Sequence, residues 1–225
     1  MKTTTIEIVS FVHGLNDKVK LHLTEKVINE STANILLFSG HTIGFVNEIE
    51  KLGTHIKNKE TETILELENI NSDKINNCLY RISNGKLFSL NTNQLFSTST
   101  EIEDNYELAL RLLYEFETKR TFTVNGLNIL VIQCGELNIL KNHQKEENRA
   151  EFRLPNKTEL SERFTKFLKG INIILNPIHT PMGNQGKMHQ RRIYLSRNKR
   201  YYFSTSNTKE NSNDLSLEKS SVRIF

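Results

Sequence analysis

The chain alternates short, continuously apolar runs with longer stretches in which apolar residues recur every three or four positions. The first kind predicts strands buried on both faces, the second amphipathic helices. Ile6 to Val12 is the first predicted strand, ended by His13-Gly14. From Asp17 to Ser31, Val19, Leu21, Leu23, Val27 and Ile28 mix helical spacing with a brief alternation, and a helix is expected. Ala33 to Phe38 carries the unbroken run Ile35-Leu36-Leu37-Phe38 and stops at the turn signal Ser39-Gly40-His41-Thr42. A helix over Phe45 to Leu52 closes on Gly53.

A strand over Thr63 to Glu68 follows. Asn77 to Ile82 and Lys86 to Leu90 then flank Ser83-Asn84-Gly85, and Asn-Gly between apolar runs is a strong hairpin signal. Asn91 to Asp104 reads as polar loop and Tyr106 to Phe116 as helix. Phe122-Thr123-Val124 turns at Asn125-Gly126 into a strand that runs to Gln133. Glu159 to Leu168 is an amphipathic helix ended at Gly170, feeding the strand Ile171 to Leu175, which Asn176-Pro177 stops. A helix over Asn184 to Asn198 precedes the strand Tyr201 to Ser204. Thr205 to Lys219 is polar and loop-like, and Ser221 to Phe225 reads as a short last strand. Strands and helices alternate around a central set of hairpins, which predicts mixed sheet covered by helices in one domain spanning 1–225.

Composition narrows the class. The 225 residues suffice for a sizeable core, and 36% hydrophobic with 25% charged content is that of an ordinary soluble protein. No window approaches the run of about 18 apolar residues that a membrane span needs, and the N-terminus lacks the apolar stretch of a secretory signal. Cys78 and Cys134 are too few for a disulfide framework or a cysteine-rich zinc site, so a reducing, cytoplasmic setting is expected. The net charge of +4 favours solubility without implying nucleic acid. No glycine-rich phosphate loop and no metal-ligand spacing occur, so neither cofactor nor metal is expected.

Cys134 is the main chemical candidate. It stands where the apolar run Leu127 to Ile132 gives way to Gln133-Cys134-Gly135-Glu136, just past the carboxyl end of a strand, where open α/β sheets expose reactive groups. A cysteine there is also a common packing residue.

Several segments together resemble the nitrilase, or carbon–nitrogen hydrolase, superfamily over most of the chain. Ala33 to Gly40 resembles the family's second strand, which usually ends in Phe-Pro-Glu. Asn77 to Lys86 resembles its asparagine-then-hairpin segment, and Val124 to Glu136 its nucleophile strand. Gly170 to Pro177, and Arg191-Arg192 through Asn207, resemble the strand, helix and strand that follow. The resemblance implies an α/β fold: an α-β-β-α sandwich with two central mixed sheets, truncated at the C-terminus relative to the family. It also implies a homodimer or larger complex paired through outer helices.

The family's chemistry uses a cysteine nucleophile, a glutamate that moves protons and a lysine that stabilises the oxyanion. Carried over residue by residue, the cysteine is Cys134, the glutamate position falls on Gly40, and the lysine position falls near Thr92. Lys86 lies inside the hairpin, and Glu101 matches a further acid of the family with a gap. The resemblance therefore implies a catalytically degenerate module that binds a small molecule or a protein partner. A runner-up is an active amide hydrolase in which Cys134 pairs with His41 or His179 as a substitute base, with Glu136 or Glu101 orienting the imidazole. A third reading takes Lys187, Arg191, Arg192, Arg197, Lys199 and Arg200, with nearby tyrosines, as a nucleic-acid surface; a solvated helix face is the plainer account.

Overall fold

The protein is described by a computed structural model covering residues 3–12, 14–43, 49–71, 74–143, 149–154, 156–179, 185–207 and 217–224. In chain order the elements begin β1 (Thr4–Phe11), α1 (Asp17–Glu30), β2 (Ile35–Phe38), α2 (Ile49–His55) and β3 (Glu62–Asn71). They continue with β4 (Lys74–Ser83), β5 (Lys86–Asn93), α3 (Ser99–Ile102), α4 (Tyr106–Thr118), β6 (Thr121–Val124) and β7 (Leu127–Val131). After a 3-10 helix over Cys134–Ile139 come β8 (Leu140–Asn142), β9 (Ala150–Phe152), α5 (Thr158–Lys169) and β10 (Ile173–Ile178). Last are α6 (Gln185–Leu195), β11 (Tyr201–Ser206) and β12 (Leu217–Ile224). They fall into two compact units, residues 1–93 with 177–181 and 204–225, and residues 94–176 with 182–203.

The first unit holds a six-stranded mixed sheet in the order β12-β1-β2-β3-β4-β5. β1, β2 and β3 run parallel, β4 and β5 continue antiparallel, and β12 adds antiparallel to β1. β2 sits inside the sheet because all four of its side chains are apolar, and all four are buried. Leu36, Phe38, Val9, Phe11, Leu65 and Leu67 form one core with Val27 and Ile28 of α1 and Ile49 and Leu52 of α2. The β4–β5 hairpin turns on Asn84 (φ 49°) and Gly85 (φ 69°), the positive dihedrals that a two-residue I′ turn requires.

The second unit holds a four-stranded sheet in the order β11-β10-β7-β6 and a two-stranded ribbon, β8-β9. β7 and β10 pair in parallel, while β6 and β7 form a hairpin. Leu130 and Ile174 of this sheet pack with Leu112, Leu113 and Phe116 of α4, Leu160, Phe164 and Leu168 of α5, and Leu195 of α6.

Some boundaries differ from the sequence reading for physical reasons. The stretch 91–104, read as loop, contains α3, nucleated by a capping box between Thr98 and Glu101. β10 continues through Asn176-Pro177 to Ile178 because a residue before proline favours extended backbone, although its pairing with β7 ends at Leu175. β12 begins at Leu217, four residues before the expected strand, because the β1 edge offers it a ladder along its whole length. The helix expected from Phe45 is seen as α2 from Ile49, and residues 44–48 lie outside the described residues.

Candidate functional site

Cys134 opens the 3-10 helix directly after β7. It is partly exposed, Cys78 is buried, and neither is in a disulfide. The turn is held from beneath by Glu136, whose Oε1 accepts from Leu95 N at 2.9 Å and whose Oε2 accepts from Gln133 N at 3.1 Å. Arg120 Nη1 donates to the same Oε2, and Arg120 Nη2 donates to Glu115 Oε2 at 3.1 Å. Arg120 and Glu136 are wholly buried and Glu115 is 3% exposed, so this is an interior ion network with its partners in place. Gly135 is required beside the thiol: a Cβ there would lie 2.4 Å from Phe96 O and 2.5 Å from Ser97 Cα.

The two acids suggested as imidazole partners have other occupations. Glu136 is committed to Arg120 and two backbone N–H groups, and Glu101 accepts from Ser97 N at 2.9 Å and Thr98 N at 2.7 Å as the cap of α3.

His41 and His179 are brought together. Their rings stack with centroids 4.4 Å apart and planes 7° from parallel. His41 leaves the end of β2 at φ 56°, and His179 follows β10. Gly40 N donates to Ile178 O at 3.0 Å, and Asn207 Nδ2 donates to Gly40 O at 3.2 Å and to His179 O at 2.7 Å, which clamps the two strand ends together. Ser39 Oγ donates to Asn207 Oδ1 at 2.7 Å and keeps that amide oriented. The His41 Nε2 to Asn77 Oδ1 distance is 2.8 Å.

Burial, then the charge of His41, lowers the His179 pKa to about 4 against the opposing pull of Glu68. Burial also lowers His41, with Lys20 adding to it and the bond to Asn77 and the charge of Asp17 opposing. Both imidazoles are therefore neutral at pH 7. Burial, then Asp17, raises Glu68, and burial lowers Lys20 against Asp17 and Glu68.

The space around Gly40 is already taken. An added Cβ would stand 2.2 Å from Glu66 Oε2, 2.8 Å from His179 N and 3.0 Å from His179 Cβ. Glu66, on β3, is completely buried, and Thr92, at the expected lysine position, is a buried hydroxyl on β5. Glu66 was not singled out from the sequence because Ile64-Leu65-Glu66-Leu67-Glu68 reads as a strand with one solvated face. The available signal was an acid set inside an apolar strand next to other buried strands.

Three residues of the basic segment, Arg191, Arg197 and Arg200, are engaged in the fold, and the side chain of Lys187 lies outside the described residues. Arg191 Nη1 donates to Asn138 Oδ1 at 2.8 Å, and burial followed by the charge of Arg153 lowers Arg191 to about 10. Arg197 lies over the Tyr194 ring at 5.5 Å, and Arg200 donates to the carbonyls of Leu195, Leu168 and Tyr194. Among the described residues no cluster of three His, Cys, Asp or Glu side chains is placed to hold a metal, and no helix is long and apolar enough to cross a membrane.

No protein-family model matches the sequence, and no curated protein matches it by sequence. Solved structures do match. A glutamine-dependent NAD(+) synthetase from Cytophaga hutchinsonii superposes with a TM-score of 0.59 at 13% identity, over 99% of this chain and 43% of that one. This chain thus spans less than half of that synthetase. A CN-hydrolase superfamily protein from Xanthomonas campestris, solved with an arsenic adduct in its active site, has a TM-score of 0.53 at 11% identity over 100% and 91% of the two chains. An amidase from Nesterenkonia sp. has a TM-score of 0.52 at 11% identity over 92% and 76%. The chain has the carbon–nitrogen hydrolase fold.

Proposed function

We propose that this protein is a nitrilase-fold module that has lost hydrolysis by the Glu-Lys-Cys route and acts by binding a small molecule or a protein partner. The observation that carries the reading is the crowding at Gly40, where even one added carbon would stand 2.2 Å from Glu66 Oε2 and 2.8 Å from a backbone nitrogen. The position that the resemblance gives to glutamate admits no side chain. Thr92 supplies no ammonium at the lysine position, and loss of one oxyanion donor costs about 100- to 1000-fold in rate. Glu136 beside the thiol is committed to Arg120. Pairing of two copies and a reducing, cytoplasmic setting belong to the same reading.

Ammonia release from a short aliphatic amide and a short aliphatic nitrile tests it, with wild type beside Cys134→Ser. Equal background rates are expected; release that depends on Cys134 sinks the reading.

A second reading, an active cysteine amide hydrolase with Cys134 as nucleophile and His41 or His179 as base, draws on one observation. Both imidazoles are held below their ordinary pKa, so each carries a lone pair at neutral pH. That reading requires the Cys134-dependent rate to fall in His41→Asn or His179→Asn.

A further inference from the structure

We propose that the groove between α1 and α2 is a binding site for a small monocarboxylate that carries a short apolar body. The two helices enclose a cavity of about 230 Å³. That is less than the ~300–1,000 Å³ of pockets for drug-sized ligands, so the occupant has only a few carbons beyond its acid group. The proposal stands whether or not Cys134 turns over an amide. α1 supplies one wall from Lys18, Leu21, His22 and Glu25, which follow at the three- and four-residue spacing of a single helix face. α2 supplies the other from Lys51, Leu52 and His55. Leu52 is completely buried and Leu21 half-buried, both packed on the core beneath, so the floor is apolar.

The rim has the wrong signs for a seam that serves only to join two helices. Such a seam sets acids against bases, whereas here each wall carries a lysine and, one turn further on, a histidine. Among the described residues that line the cavity Glu25 is the one acid, and its Oε2 lies 3.2 Å from His55 Nδ1. Ammonium groups thus outnumber carboxylates, and each imidazole adds positive charge when protonated. A carboxylate complements this rim and a hydrocarbon portion complements the floor, which a bare phosphate or sulfate would leave unused. The groove is also preformed. Asn29 of α1 fixes the carboxyl end of α2, donating from Nδ2 to His55 O at 3.1 Å and accepting from Lys57 N at 2.7 Å. Thr54 Oγ1 donates to Lys51 O at 2.8 Å, so that hydroxyl proton is used within α2 and recognition of an anion falls to the lysines and histidines.

The test follows amide ¹H–¹⁵N shifts of the full chain at pH 7 and constant ionic strength during titration with sodium hexanoate. Parallel titrations use 1-hexanol and sodium acetate, each of which lacks one half of the proposed ligand. Saturable shifts at Leu21, His22, Leu52 and His55 are expected with hexanoate, at a Kd at least roughly threefold below that of either control. Lys18 and Lys51 are exposed, so Lys18→Gln and Lys51→Gln each remove an ammonium and leave the core intact. Each is expected to weaken hexanoate binding roughly two- to fivefold and to leave 1-hexanol unaffected. Hexanoate binding no tighter than acetate or 1-hexanol, or indifferent to both lysine substitutions, overturns the proposal. Saturable shifts confined to residues outside α1 and α2 overturn it as well.

Discussion

Arg120 and Glu136 form an ion pair in which neither side chain retains any exposed surface. The pair lies beneath the turn that presents Cys134, since Glu136 also accepts from the N–H of Gln133, the residue before the thiol. A guanidinium in the interior is tolerable only while both carboxylates, Glu136 and Glu115, remain in place.

Arg120→Met should therefore destabilise the protein by about 3–5 kcal/mol, because it leaves the wholly buried Glu136 carboxylate without its cation, whereas Glu115 keeps Arg111 and Lys119 at 3.6 Å. Arg120→Met combined with Glu136→Leu should recover part of that loss, because the desolvation cost disappears with the charges. Urea unfolding of the four proteins of this cycle measures both; a single-variant loss below about 1 kcal/mol would mean that water reaches the pair.

Two glycines should respond to alanine for different reasons. Gly135→Ala drives a Cβ to 2.4 Å from Phe96 O and 2.5 Å from Ser97 Cα, backbone atoms that cannot swing aside. A loss of about 2–3 kcal/mol is expected, with the Cys134 turn displaced. Gly126→Ala meets nothing within 4 Å, and only its φ of 82° opposes the side chain, so the loss should stay near 1 kcal/mol. Thermal unfolding ranks the two, and the reverse order would refute this account.

Stability should decline with acid over a definite window. The folded His179 value of about 4 lies below the ordinary 6.5, so the unfolded chain takes up the proton first as the pH falls. The contribution is complete above about pH 6.5, is lost progressively down to about pH 4, and changes no further below that. Its size is at most about 3 kcal/mol, and less for the part of the ring that solvent reaches. His179→Asn should flatten stability across that interval in chemical unfolding at stepped pH; an unchanged slope would rule the site out as its source.

Asn176 links β10 to its neighbours, with Nδ2 donating to Ile132 O and Oδ1 accepting from Tyr202 Oη at 2.7 Å. Asn176→Leu leaves a buried carbonyl and a hydroxyl to find other partners, at about 2–3 kcal/mol. Tyr202→Phe removes the bond to Asn176 Oδ1 while leaving the one to Ile132 O, and should cost about 1 kcal/mol. Equal losses in the two variants would show that the bond to Ile132 contributes nothing.

The elements were largely legible in the residues. Asn84-Gly85 and Asn125-Gly126 supply positive φ where both hairpins turn, and the spacing of Leu160, Phe164 and Leu168 marks the buried stripe of α5. The short ribbon β8-β9 was missed because three residues are too few to show a period. The candidate chemistry was legible only in part. His41 and His179 were visible as histidines at strand ends, but nothing near either in the chain says that they stack. Glu101 looked like a site acid because a helix cap and a catalytic carboxylate look alike in sequence.

By itself the sequence determined where strands, helices and tight turns form, because periodicity and turn chemistry reside in a handful of adjacent residues. It also determined that position 40 has no side chain and position 92 no amine. Tertiary structure alone decided that Glu66 fills the room above Gly40, that Arg120 claims Glu136, and that two imidazoles meet face to face. These depend on strand register and on competition for volume and charge in the interior, which act between residues far apart in the chain.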